Sequence, residues 1–521
     1  MTVVSTGLSR PSCIRRRITK FTVPVLATLW AGLIVTPAFG EDGSDLWLRY
    51  NIAPGADIQT PSAITVACAD PSETLRIAVQ ETQTAFRQLV GDDIEPRSTV
   101  QDDALILVSP NCHGGLIGEN IDFSVLGKDG YRIHTRGIGD AAVTVISGQS
   151  DVAVLYGVFD YLLRTSRGET VGDIDLMNAP SVDLRLLNHW DNLDRHVERG
   201  YAGQSIWDWH RLPGFTDQLY IDYARANASI GINGTVLTNV NADSTVLTAP
   251  YIDKVAALAD VFRPYGIRVY LTARFSSPME LGGLPTADPL DPAVQDWWQD
   301  KVAEIYKAVP DFGGFLVKAN SEGQPGPQDY NRSHAEGANM LADALGKHGG
   351  TVMWRAFVYS ADESEDRVKQ AFTEFTPLDG AFADNVLVQV KNGPLDFQPR
   401  EPFHPMFGKM PNTPLMIEFQ ITKEYLGFST HLAYLGTLWE DVLQSDTYVA
   451  GEGSSVARLV NGSLHNNRVT GMAGVANIGS DRNWSGSIFD QANWFAFGRM
   501  AWQPDASARD IAEEWAALTF S

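Results

Sequence analysis

The sequence predicts an α/β protein: a (β/α)8 TIM barrel preceded by a small α/β domain and followed by the start of a helical region. Three observations predict it. From residue 182 onward eight short apolar runs recur, most followed by helical periodicity, and eight βα units in one stretch specify a closed parallel barrel. Before them strands and helices mix without that regularity, and after them the chain reads as helix alone. The expected divisions are a leader at 1–40, an N-terminal α/β domain at 41–180, the barrel at 181–490 and the helical start at 491–521.

The leader reads as an export signal. Arg15, Arg16, Arg17 and Lys20 precede an apolar run from Phe21 to Val35 that is short for a spanning helix, and Ala38-Phe39-Gly40 offers a small-x-small cleavage site. The Arg15-Arg16 pair leaves a twin-arginine route open beside ordinary export, and periplasm and cell exterior are both open as destinations. Removing the segment's five basic residues takes the net charge from −23 to −28. Such a charge disfavours nucleic acid and anionic membrane as partners. It also makes any cluster of cations informative. No later apolar run has the length of a membrane span, so the mature chain is expected to be soluble. Cys68 and Cys112 remain after cleavage; their spacing is not that of a metal site, which leaves a disulfide or two buried thiols.

In the N-terminal domain, Asp45–Tyr50 (DLWLRY) reads as a strand. Ser72–Leu89 reads as a helix with Leu75, Val79, Phe86 and Leu89 on one face. Ala104–Val108, Tyr131–Ile133 and Val143–Ile146 read as short strands. Asp151–Arg164 reads as a helix burying Val154, Leu155, Val158 and Leu162. The Gly148 turn before it lacks the GxxxxGK[ST] pattern of a phosphate loop and is assigned to packing.

The eight barrel runs are Asp183–Trp190, Gly231–Asn239, Ile267–Ala273, Phe312–Ala319, Thr351–Val358, Asn385–Lys391, Leu415–Gln420 and Gly471–Asn477. Between them, Ile252, Val255, Ala256, Ala259 and Phe262 make one helical face, and Asp291-Pro292 starts a helix carrying Trp298, Val302 and Ile305. From Phe489 to the end the chain reads helical. Its last residues, Trp515, Leu518 and Phe520, form an apolar ending, from which the chain is expected to be a piece of a longer one.

Polar residues gather where these runs stop. The run at Phe315 ends in Lys318, Asn320, Ser321 and Glu322, then turns through Gly323, Pro325, Gly326 and Pro327. The others end in His189-Trp190-Asp191-Asn192, Asn239-Val240-Asn241, Arg274, Lys391 with Asp396, and Lys423-Glu424 after Glu418; Arg355 sits within the fifth run. Loops at the carboxyl ends of barrel strands converge on one pocket. Carboxylates there suit acid/base hydrolysis, such as glycoside cleavage, and the cations Lys318, Arg355 and Lys391 suit a substrate carboxylate. Trp190 would stack on a sugar face.

Structural readings stand beside these. Glu322 fits a salt-bridged surface turn, Arg355 fits a partner of Glu418 inside the barrel, Lys391 a solvated strand end and Trp190 the core. His189 and His404 read as hydrogen-bonded fillers, and Glu322, Asp396 and Glu424 lack a metal-ligand pattern. No nucleophile elbow, Cys/His signature or Gly-rich phosphate loop appears.

At these residues the chain resembles glycoside hydrolase family 67, the α-glucuronidases. The matching stretches are EDGSDLWLRY at Glu41, LLNHWDNLD at Leu186, LVKANSEGQPGP at Leu316, WRAFVY at Trp354, VQVKNGPLDFQPREP at Val388, EFQITKEYLG at Glu418, and NIGSDRNWSG with QANWFAFGRMAW near the end. They span nearly all of the mature chain. The resemblance implies an inverting, exo-acting enzyme without a cofactor that removes glucuronic acid, or its 4-O-methyl ether, α-1,2-linked to xylose, from small aldouronic acids. It implies Glu322 as general acid, Asp396 and Glu424 as the carboxylates that hold and activate water, and Trp190, Lys318, Arg355 and Lys391 as ligands of the uronic sugar, with Val240 lining the pocket. Family members continue after the barrel with a helical domain that contributes to dimerisation and to the pocket. This chain stops near its start, so a homodimer is an expectation for the full-length protein. The rival readings are a retaining exo-glycosidase of another barrel family and a non-catalytic oligosaccharide-binding protein; the mouth carboxylates argue against the second.

Overall fold

Short, buried apolar runs build the barrel and the centre of the N-terminal sheet, whose strands Pro96–Arg97 and Asp175–Asn178 are more exposed. The computed structural model describes residues 42–112, 122–138, 141–169, 173–199, 203–241, 243–359 and 366–520, and the expected leader lies outside them. The first sheet comprises β1 (Ile64–Val66), β2 (Pro96–Arg97), β3 (Leu105–Val108), β4 (Tyr131–Ile138), β5 (Ala141–Gly148) and β6 (Asp175–Asn178), in the order β2-β1-β3-β5-β4-β6. Its β1, β2, β3 and β5 are parallel, whereas β4 runs antiparallel to β5 and β6. Helices Glu73–Val90 and Asp151–Ser166 pack against each other beside it. Each starts at a serine, Ser72 or Ser150, whose hydroxyl accepts from a first-turn N–H that no helical carbonyl can reach. Cys68, just past β1, and Cys112, in the turn after β3, are joined by a disulfide across a Cα–Cα distance of 4.9 Å.

The second sheet is the expected barrel. Strands β7 (Leu184–His189), β8 (Gly234–Val236), β9 (Arg268–Thr272), β10 (Gly314–Val317), β11 (Thr351–Arg355), β12 (Val386–Lys391), β13 (Leu415–Gln420) and β14 (Gly471–Ala476) pair in parallel in chain order, and β14 closes onto β7. Gly314 opens β10 with φ of 135°, and a Cβ there would fall 1.9 Å from the Thr351 carbonyl oxygen on β11. The strand that carries Lys318 and Glu322 therefore reaches its neighbour only with glycine at that position. The helix after Asp291 begins as the sequence predicts, with the Asp291 carboxylate accepting from Ala293 N at 2.8 Å and Pro292 in the first turn. Helices Gln491–Trp502 and Ala508–Phe520 follow the barrel.

The strand expected at Asp45–Tyr50 does not form. Leu46 and Tyr50 adopt left-handed φ values of 55° and 48°, which an extended strand cannot contain. The apolar pattern that suggested a strand instead fills a junction. Trp47 is buried edge-on against Trp484 and Phe495, and its indole N–H donates to Ser229 Oγ at 2.7 Å. Tyr50 donates to Glu81, which also receives both ends of the Arg225 guanidinium. Tertiary packing thus claims residues whose local alternation reads as strand. No described helix is long and apolar enough to cross a membrane.

Candidate active site

Alternate residues of each barrel strand face inward, and reading them upward separates floor from mouth. Leu186, Val236, Tyr270, Leu316, Met353, Leu387 and Met416 fill the barrel with an apolar plug. Two residues further on, the same inward positions become Lys318 after β10, Arg355 in β11, Gln389 in β12 and Glu418 in β13; Phe357 and Lys391 lie two beyond Arg355 and Gln389. The change from apolar to charged occurs within one pleat. Burying that much charge requires partners, and each has one.

Arg355 grips Glu418 in two places, Nε to Oε2 at 2.8 Å and Nη2 to Oε1 at 2.6 Å, and Gln389 donates to the same carboxylate. Arg355 is therefore committed to a partner inside the barrel, as its structural reading requires, and of its guanidinium nitrogens only Nη1 is not engaged by Glu418. Lys391 pairs with Asp396, whose second oxygen accepts from the Tyr425 hydroxyl at 3.0 Å. Lys318 pairs with Glu322 and donates to Asn241 Oδ1 at 2.8 Å. Among the described residues nothing else bonds the Glu322 carboxylate, and its side chain is 51% exposed. It sits at φ of 51° in a turn where a Cβ on Gly326 would lie 1.9 Å from Asn320 Oδ1, so the chain folds tightly back under it.

The seventh strand adds Glu424. Gln420 Nε2 donates to it at 2.9 Å, and Arg199 pairs with its other oxygen. Arg199 also lies 3.4 Å from Glu198, which accepts from Asn239 at 2.8 Å and Asn241 at 3.5 Å. A continuous chain of polar contacts therefore runs Glu322–Lys318–Asn241–Glu198–Arg199–Glu424 around the mouth. Arg199, Glu322, Phe397 and Lys423 all adopt left-handed backbone, a strain that these contacts hold in place.

Phe357 joins the cations. Lys391 Nζ stands 3.3 Å from its ring centroid, Arg355 Cζ 5.3 Å and Lys318 Nζ 5.7 Å, with Phe397 at 4.6 Å on the other side of Lys391. Burial pushes the Lys391 ammonium down to about 8, with the Arg355 charge adding to the effect and Asp396 opposing it. Burial lowers Lys318 for the same reason, against the pull of Glu322. Burial alone would raise Asp396, but the Lys391 charge and the bonds from Lys391 and Tyr425 outweigh it and hold the carboxyl below its ordinary range. Arg355 and the Tyr359 phenol both feel the charges of Glu322 and Asp396.

Trp190 and Val240 lie at the top of the apolar plug with Phe397, whose ring centroid is 6.5 Å from that of Trp190. Trp190 is only 5% exposed and its buried indole N–H has no hydrogen-bond partner among the described residues. His189 shares a hydrogen bond with the Tyr223 hydroxyl at 2.9 Å, and the buried ring of His404, pushed down to about 3 by burial and by Lys391, accepts from Met406 N. Two polar strand ends stand apart from the cluster. Arg274 binds Glu280 at 2.7 Å and Gln324 at 2.9 Å, bracing the Glu322 turn from outside. Lys423 turns away into a buried pair with Asp490.

Sequence reasoning passed over Gln389, Phe357, Tyr425, Glu198 and Arg199. The first two share the inward parity of Lys391 and Arg355, and extending the two-residue period from those cations would have found them. Glu198 and Arg199 lie in a long loop after β7, where no periodicity marks a residue.

Residues 46–161 match the glycosyl hydrolase family 67 N-terminus, 164–484 its middle domain and 485–521 its C-terminus. The chain is 40% identical over 512 residues to alpha-glucuronidase A of Emericella nidulans, covering 95% of this chain and 60% of that protein. It is 40% identical over 514 residues to the alpha-glucuronidase of Hypocrea jecorina, covering 93% and 59%. The chain thus spans about 60% of the length of these relatives. Among solved structures, a chitobiase of Flavobacterium johnsoniae shares the fold alone, with a TM-score of 0.53 at 12% identity over 92% of this chain and 72% of that one. With a single family matched from residue 46 to the end, and its middle domain over more than half of the sequence, the chain belongs to glycosyl hydrolase family 67.

Proposed function

We propose that this protein is an exo-acting, inverting α-glucuronidase that removes α-1,2-linked glucuronic acid, or its 4-O-methyl ether, from xylo-oligosaccharides during xylan breakdown. The observation that carries the reading is the meeting of Lys318, Arg355 and Lys391 around one ring, that of Phe357, beside Glu322 and Asp396. In a chain of net charge −23 such a cluster has a local purpose, and a sugar carboxylate is the substrate group that it fits.

In this reading Glu322 protonates the leaving xylose oxygen. Half-exposed and bound only to Lys318, it is the carboxyl from which a proton passes most directly to substrate. Asp396 and Glu424, each bonded by a cation and a neutral donor, hold and activate the attacking water. Lys318, Lys391 and Arg355 Nη1 bind the uronate, while Trp190 and Val240 shape the pocket floor beneath the sugar. A cleft of about 580 Å³ opens beside Asn239 and Asn241, between Asn192, His196, His210 and Tyr251, and offers room for the xylose units. No cofactor takes part.

Export to the periplasm or cell exterior fits the Cys68–Cys112 disulfide, a bond that persists in oxidising compartments. Homodimerisation is proposed for the full-length protein. The deciding experiment is proton NMR of the first sugar released from methylglucuronoxylo-oligosaccharides. β-Glucuronate formed first supports inversion, α-glucuronate first replaces it with a retaining mechanism, and binding without release reduces the protein to an oligosaccharide carrier.

A further inference from the structure

The charges at the mouth do not balance. Three cations each have a carboxylate of their own: Lys318 with Glu322, Arg355 with Glu418 and Lys391 with Asp396. The fourth cation, Arg199, serves two, Glu424 and Glu198. Fully ionised, these groups sum to −1. Around them, among the described residues, Arg274 with Glu280 and Lys423 with Asp490 are neutral pairs, Arg367 lies over the Tyr359 ring, and Glu401 accepts from Leu395 N and Gln398 N and is raised by burial. The Tyr359 and Tyr425 phenols are raised by burial and His404 is neutral, so none adds charge near neutral pH. A uronate, ionised above about pH 4, would enter a site that is already negative and whose cations are all taken.

The least costly relief is a proton, and the carboxylates differ in how readily they accept one. Glu418 holds two guanidinium bonds and Gln389, Asp396 holds Lys391 and Tyr425, Glu424 holds Arg199 and Gln420, and Glu198 holds two asparagines. Glu322 has Lys318 alone and stands open to solvent. We propose that uronate binding and protonation of Glu322 are one linked event: the substrate carboxylate takes the place of Glu322 on Lys318, and Glu322 takes a proton from solvent. The inference rests on the proposed function and deepens it. Substrate charge loads the acid that cleaves it, so an uncharged hexoside would lose both binding and the proton donor, and discrimination falls on turnover as well as on affinity.

Calorimetric titration with D-glucuronic acid, repeated in buffers of different ionisation enthalpy, counts the protons taken up. Net proton uptake on binding is expected, with affinity falling as pH rises wherever uptake occurs. Glu322→Gln should abolish the uptake, bind glucuronic acid several-fold more tightly because Lys318 is released, and lose the pH dependence of affinity that accompanies it. An uptake near zero in the unmodified protein overturns the linkage without need of the variant, and so does full uptake in a folded Glu322→Gln protein. If glucuronoxylo-oligosaccharides are hydrolysed while uptake is zero, the linkage alone fails; if neither hydrolysis nor glucuronate binding occurs, the functional reading fails with it.

Discussion

Lys391 Nζ stands 3.3 Å from the centre of the Phe357 ring, closer to that face than to any other ring it touches. The ring's negative face takes part of the place of water for a buried ammonium, and it does so beside Arg355 and Lys318 as well. Phe357→Leu keeps an apolar side chain of similar reach and removes only the face. The expected result is a KM for glucuronoxylo-oligosaccharides raised roughly tenfold, equivalent to about 1.4 kcal/mol, with kcat little changed. Steady-state kinetics on the purified variant checks it, and an unchanged KM would make the ring a filler.

The Arg355–Glu418 pair complicates the obvious test of the uronate ligands. Both side chains are almost fully buried, so Arg355→Ala strands a carboxylate beneath the mouth. A loss of about 3–5 kcal/mol of stability should therefore accompany the loss of activity. Arg355→Met combined with Glu418→Leu should recover most of that stability but none of the activity. Denaturant unfolding alongside initial rates separates the two effects; a double variant as unstable as Arg355→Ala would show that the pair is not the cause.

The barrel was legible because its strands are buried on both faces and written as apolar runs, and because Gly and Pro mark where some of them end, as after Lys318 and Lys391. The site was legible at strand ends for the same reason: a run that stops at Lys318 or Lys391 places that residue at the mouth. What escaped was decided by contacts distant in sequence. Lys423 ends a run as Lys391 does, yet it pairs with Asp490 some 67 residues on and leaves the cluster. Asp45–Tyr50 alternates like a strand, yet its tryptophan belongs to a junction with Trp484 and Phe495. The overlong fifth run hid that Arg355 closes β11, which is why it looked mid-strand.

The disulfide supplies a test confined to the N-terminal sheet. It closes a loop of 44 residues between β1 and the turn after β3, and such a constraint acts mainly by restricting the unfolded chain. Replacing both Cys68 and Cys112 by Ala should cost about 2–4 kcal/mol of stability. Affinity for glucuronic acid should stay within a factor of about 2, since no mouth residue contacts the bridge. Thermal unfolding with and without reductant, together with the binding titration, checks both halves.

The pH limits of the reaction should divide between two neighbours in contact. Asp396 has a folded-state pKa below its unfolded value, so its contribution to stability is present above the ordinary carboxylate range and is lost as pH falls through the folded value. Lys391 is depressed as well, to about 8. For a cation that sign is opposite: a stability penalty is fully present below about 8 and fades as pH rises toward the unfolded value. In the proposed reading uronate binding needs the ammonium charged, so KM should climb as pH passes about 8. Lys391→Arg keeps its charge across that range and should remove this alkaline rise even if it lowers the rate throughout. On the acid side, Tyr425→Phe deletes a 3.0 Å bond that favours ionised Asp396. The acid limb of the kcat profile should move to higher pH, with the alkaline rise in KM left in place. A profile that shifts on both sides, or on neither, would mean that Asp396 and Lys391 do not set these limits.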